Sequence, residues 1–119
     1  MKVTFKNENE KGNIEEAGMR SLESTKEDIK QFALDELNDG ESEFFEYGLS
    51  FSTVWLDDDV GGEIEYHKFQ LSWGGPSSEI RFHASGKIEY VFLDWFSGVG
   101  FDVTGEEWAQ WAESQFLCC

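Results

Sequence analysis

The chain has 119 residues, with 25 Asp and Glu against nine Lys and Arg, and a formal net charge of −16. That sign excludes attraction to anionic lipid and direct nucleic-acid binding, and no run approaches the ~20 apolar residues of a membrane span. Aromatic residues make up 16% of the chain, so it is expected to fold as one domain, residues 1–119, with an aromatic core and an acidic shell, and not to stay disordered as highly charged chains poor in aromatics do.

The first 24 residues read weakly. Val3 and Phe5 alternate with polar neighbours, as in a short edge strand. Residues 7–13 are polar and turn-like, and 14–22 fit a short helix weakened by Gly18. A helix is predicted from Lys26 to Asn38. Ser24 and Thr25 each precede an acid by three residues, Glu27 and Asp28, in the manner of a capping box. Ile29, Phe32, Ala33 and Leu37 then form one apolar stripe, and Asp39-Gly40 supplies the stop.

The pattern next changes to period two. Over 44–56, Leu49, Phe51, Thr53 and Trp55 fall on one face and Ser50, Ser52 and Val54 on the other, which predicts a strand. Residues 57–62 connect it to a second strand over 63–73. There Ile64 and Tyr66 share one face, and Glu65, His67, Phe69, Leu71 and Trp73 the other, with a bulge expected partway along. After a turn at 74–78, a third strand over 79–84 leads through a Ser85-Gly86 hairpin into a fourth over 87–95. The fourth is apolar on both faces near its end, which places it centrally. Residues 96–103 read as a glycine-rich loop. Thr104 and Glu107 fit a further capping box, opening a helix over 105–117 with Trp108, Trp111, Ala112 and Phe116 on one face. The order predicts an α+β fold: an antiparallel sheet of about four strands with an N-terminal-half helix and a C-terminal helix. Trp55, Trp73, Trp108 and Trp111 are assigned to the core, and Phe96 and Phe101 are the candidates for an exposed apolar anchor.

No catalytic constellation is legible. The two histidines, His67 and His83, lie in predicted strands, and no HExxH or CxxC spacing occurs. Asp57-Asp58-Asp59 does not open a calcium loop, because the twelfth position is Lys68. Gly98-Val99-Gly100 lacks the rest of a dinucleotide fingerprint. The expectation is a protein that is not an enzyme and uses neither metal nor cofactor. Cys118 and Cys119 are adjacent and make no disulfide framework. With no apolar stretch of signal-peptide length among the first residues, cytosolic residence is expected.

What stands out is where the acids lie. From Asp35 to Asp59 there are nine acids and no base. Asp35 and Asp39 are one helical turn apart. Glu41 with Glu43, and Glu63 with Glu65, alternate. On a strand such pairs would present charges roughly 6.6–6.8 Å apart on one side, of the order of phosphate spacing in nucleic acid. Asp35, Glu36, Asp39, Glu41, Glu43, Glu46, Asp57, Asp58, Asp59, Glu63 and Glu65 are therefore the candidate partner-binding residues. A net charge of magnitude ~2–8 keeps a small domain soluble, so −16 asks for a further use, a cationic partner or a halophilic setting. In size, acidity and aromatic content the chain resembles the small acidic proteins of phages and mobile elements that mimic nucleic acid and inhibit CRISPR or restriction systems. That resemblance implies a non-enzymatic inhibitor occupying the basic nucleic-acid-binding groove of a host defence protein. A second resemblance, to immunity proteins that neutralise cationic nuclease toxins, implies one cognate partner gripped by a few acids around aromatic anchors. The oligomeric state is open: a two-fold homodimer would lengthen the acidic face to match an extended groove.

Overall fold

A computed structural model describes residues 1–6, 11–55, 64–74, 76–94 and 97–117, with backbone alone at 11 and 12. Among these residues the elements run β1 (Val3–Phe5), α1 (Lys11–Asp39), α2 (Phe44–Tyr47), β2 (Ser50–Trp55), β3 (Ile64–Ser72), β4 (Ser77–His83), β5 (Ile88–Asp94), β6 (Ser97–Asp102) and α3 (Glu107–Leu117). Six strands form one antiparallel sheet in the order β1-β6-β5-β4-β3-β2. The class is α+β, as the sequence pattern predicts, with six strands where about four were expected.

β6 is the strand the sequence hides. Its glycines read as loop, yet they lie in regular pairing with β5. A Cβ at Gly98 would stand 2.7 Å from Leu93 Cδ2, and one at Gly100 would stand 2.6 Å from Glu89 Oε2. The glycines are thus there for close approach, because side chains of β5 lie across β6. Phe101 is fully buried on the other face of β6, so it is core and not an exposed anchor; Phe96 lies outside the described residues.

α1 is one helix of 29 residues, about 43 Å long at 1.5 Å per residue. The expected start at Lys26 is overturned: Ser24 and Thr25 are interior to α1 and cap nothing. The buried face follows Ile14, Gly18, Leu22, Thr25, Ile29 and Phe32, at spacings of three and four. Two of these positions do not look apolar, for opposite reasons. A Cβ at Gly18 would come within 2.5 Å of Val99 Cγ1, so glycine lets the helix sit down on the sheet. Thr25 is buried, and its hydroxyl lies 3.1 Å from the hydroxyl of Tyr90, which is itself fully buried in β5. Ser21 reaches the same hydroxyl at 2.6 Å. Leu37, expected on the apolar stripe, is 80% exposed. Gly40, at φ +82°, ends the helix as expected, donating its N–H to the Glu36 carbonyl at 2.8 Å.

Both long helices lie on one face of the sheet, α1 over β5 and β6 and against α3. The core between the layers holds Phe69, Ile80, Phe82, Ile88, Tyr90, Phe92, Val99 and Phe101 from the strands, and Trp108, Ala109 and Ala112 from α3. The predicted strand over 44–56 is corrected in its first part. Residues 44–47 form the short helix α2, which four residues cannot hold together alone. Phe44 pins it, 1% exposed, with its ring 5.2 Å from Phe69, 5.0 Å from Trp111 and 5.5 Å from Phe116. Trp55 and Trp73, assigned to the core from sequence, are 53% and 62% exposed; β2 is an edge strand, and Trp73 lies past the end of β3.

The junction into α3 also differs from expectation. Thr104 does not cap the helix, which begins at Glu107. Its hydroxyl donates to Asp102 Oδ1 at 2.5 Å and accepts from the Ile88 N–H at 2.9 Å, tying the turn to β5. The Ser85-Gly86 hairpin forms as expected, with Gly86 at φ +95°.

Candidate functional site

The described acids divide by layer. On the sheet face that carries no helix, charges are matched in pairs. Arg81 donates to Glu79 at 2.7 Å and stacks 4.7 Å over the Tyr66 ring, while Glu89 meets His83 at 3.2 Å and Lys87 at 3.6 Å. Burial works against the Arg81 charge, but the bond to Glu79 and the acids around it more than offset that and hold the guanidinium above its usual value. Burial likewise raises the Tyr66 hydroxyl, with Arg81 pulling the other way. A shallow groove of about 310 Å³ crosses this face, floored by Gly98 and Gly100 and edged by Lys6, Arg81 and Glu89. Arg81 and Glu89 at its edge are each engaged by a neighbour, Arg81 by Glu79 and Glu89 by His83 and Lys87.

The corner between α1 and α2 is different. α1 delivers Asp35 and Asp39 on its last two turns, the 40–43 connection delivers Glu41 and Glu43, and α2 delivers Glu46. These five carboxylates, with Ser42, Phe32 and Phe45, line one open cleft of about 730 Å³. Asp35 accepts a hydrogen bond from Gln31 at 2.9 Å. Among the described residues no Lys, Arg or His forms an ion pair with any of the five. Phe32 in the wall packs edge-on against Phe44 and tilted against Tyr47, at 6.1 and 5.1 Å between ring centroids. Tyr47 also donates to Asp28 at 2.8 Å. Burial, and the Asp28 carboxylate beside it, push the Tyr47 hydroxyl well above its ordinary value, so it stays a donor throughout the working pH range.

Of the sequence-selected acids, five therefore converge. Glu36 is adjacent on α1, half-buried, and does not line the cleft. Glu65 is exposed near the start of β3, five residues from Gln70, whose partner Ser50 begins β2, and so roughly 16 Å along the strand from that end. Asp57, Asp58, Asp59 and Glu63 lie outside the described residues. The strand-like spacing expected for Glu41 and Glu43 does not form, because 41–43 is irregular connection. Their convergence comes instead from a helix end folding back into α2.

The sequence reading missed the aromatic part of the site. Phe45 is 57% exposed at the cleft, with its ring 5.2 Å from Phe116. Phe116 in turn stacks on Phe51 at 4.2 Å, and Phe51 is also partly open to solvent. Adjacent phenylalanines point to opposite faces on a strand, and they diverge here too, Phe44 inward and Phe45 outward. The signal was present, but period-two reading placed both on the sheet.

Compared with known proteins, the chain matches no family model, no curated protein and no solved structure.

Proposed function

We propose that this protein is a non-enzymatic inhibitor that binds the basic nucleic-acid-binding surface of another protein, with the cleft of Asp35, Asp39, Glu41, Glu43 and Glu46 as its contact. The observation that carries this reading is the convergence of five carboxylates, without a paired cation among the described residues, around one cleft. Like charges held in fixed geometry cost folding energy unless a cation relieves them. A Lys/Arg surface built for phosphate supplies that relief, and long-range attraction speeds the encounter. The target class follows from the resemblance: a CRISPR effector or restriction enzyme, met in the cytoplasm of the host cell. The test is capture of partners from host lysate at low and moderate salt, with duplex DNA or RNA as competitor. Retained proteins should be nucleic-acid binders, released by competitor and by raising salt from about 50 to about 200 mM. Retention indifferent to both would overturn the reading.

A second reading, immunity to a cationic nuclease toxin, is favoured by one observation: Phe45 stands exposed among the acids, the arrangement of an aromatic anchor ringed by charge. Under it, removing the Phe45 ring costs affinity as heavily as removing the acids.

A further inference from the structure

β2 ends the sheet on one side, and no strand among the described residues pairs with its outer edge. Edge strands in soluble proteins are ordinarily blunted by lysines, proline, bulges or brevity. β2 has little of this. Its six residues, Ser50-Phe51-Ser52-Thr53-Val54-Trp55, carry no charge, no proline and no glycine, in a chain that is 29% charged. Its pairing with β3 is regular from Ser50 to Val54, and the one register shift falls at the last step, between Val54 and Trp55. Ser50, Phe51, Ser52 and Trp55 are exposed. The opposite edge, β1, has three residues.

The edge also starts at the acidic cleft. Ser50 follows Tyr47, the last residue of α2, by three positions, and α2 bears Glu46 and Phe45. An extended chain laid along β2 therefore meets an edge to which no strand among the described residues is bonded, and carboxylates at one end. Phe51 and Thr53 lie toward the helices, where Phe51 stacks on Phe116 and Thr53 bonds His67, and Ser50 and Ser52 lie on the open side.

We propose that β2 is a docking edge for an extended, lysine- or arginine-bearing segment of the partner, which adds a seventh strand and places its cationic end in the cleft. The proposal rests on the reading of the cleft as a contact for a basic protein, and it names the form in which that protein engages. Charge selects the occupant. A second copy would bring two chains of −16 edge to edge, whereas a basic strand is attracted by the same field.

The experiment uses the full chain and a synthetic octapeptide alternating lysine and valine. A second peptide carries an N-methyl group on every residue, so that neither edge can donate. Backbone amide exchange is followed by NMR. The expected result is slowed exchange confined to amides of residues 50–55, with the N-methylated peptide roughly tenfold weaker or worse. Absence of binding, protection elsewhere, or equal affinity of the two peptides overturns the proposal. Protection of 50–55 that appears without peptide and grows with protein concentration also overturns it, and assigns the edge to a second copy. The cleft is scored separately by the triple variant E41K/E43K/E46K in lysate capture. If that variant loses the partner while β2 gains no protection, the edge proposal fails and the cleft reading stands; if neither effect is seen, both fail.

Discussion

Replacing Tyr90 by Phe removes one oxygen from the middle of the sheet and should weaken the seating of α1. The Tyr90 ring is fully buried, and its hydroxyl lies 2.6 Å from Ser21 Oγ and 3.1 Å from Thr25 Oγ1. These are the hydroxyl contacts joining the long helix to β5. Each such bond contributes about 0.5–1.5 kcal/mol net, and a buried hydroxyl left without a partner costs more. Two losses give about 1–3 kcal/mol. Thr25 can fall back on Tyr47, which it also approaches, or on a carbonyl of its own helix, so about 1–2 kcal/mol is expected. For 119 residues, at about 4 °C per kcal/mol, Tm falls by about 4–8 °C. T25V alone should cost less, because Tyr90 keeps Ser21. The double variant Y90F/T25V should be milder than the sum of the singles, because the buried Thr25 hydroxyl that Y90F alone would orphan is then gone, while Ser21, half-buried, loses its partner in both Y90F backgrounds. Urea unfolding of the four proteins gives the cycle. Wild-type stability in Y90F, or strict additivity in the double variant, would refute the claim that this hydroxyl network holds the helix.

Three further outcomes follow. G48A brings a Cβ within 2.2 Å of the Phe69 ring, which is wedged between Phe44 and Phe116; overpacking should cost about 1–3 kcal/mol, and F69L in the same chain should restore part of the lost Tm. Asp102 accepts from the Thr104 hydroxyl and N–H, which hold its carboxyl below the ordinary value. Its stabilising contribution is therefore full above the unfolded carboxylate pKa and is lost as pH falls through the lower folded one, so the deficit of D102N in urea unfolding should be larger at neutral pH than in strong acid. F45A removes a ring that is 57% exposed; Tm should fall by no more than about 4 °C, the equivalent of about 1 kcal/mol. A large loss of partner capture in F45A favours the toxin-immunity reading, and unchanged capture favours charge mimicry.

The legible parts of the fold were those whose side chains announce their environment. β3, β4, β5 and α3 follow from alternation, a hairpin glycine and two tryptophans at helical spacing. The N-terminal half of α1 was obscured because its buried face passes through Gly18 and Thr25, one chosen for close packing on Val99 and the other for a hydroxyl partner 65 residues away. β6 was obscured by glycines that make room for Leu93 and Glu89. In each case a tertiary neighbour, invisible from local sequence, set the residue type. The acids of the cleft were legible as an uninterrupted charge run, but their convergence depends on α2, which exists because Phe44 is buried.

The most direct test compares two triple charge reversals of equal size. E41K/E43K/E46K alters the cleft, and E15K/E16K/E23K alters exposed acids of α1 that lie roughly 18–30 Å up the helix from Asp35. Both change the net charge from −16 by the same amount. Affinity for a partner captured by the parent chain should fall at least about a hundredfold in the cleft variant, the loss of several charge-assisted contacts, and only a few-fold in the control. Equal losses in the two would show that bulk charge, and not the cleft, is what the partner recognises.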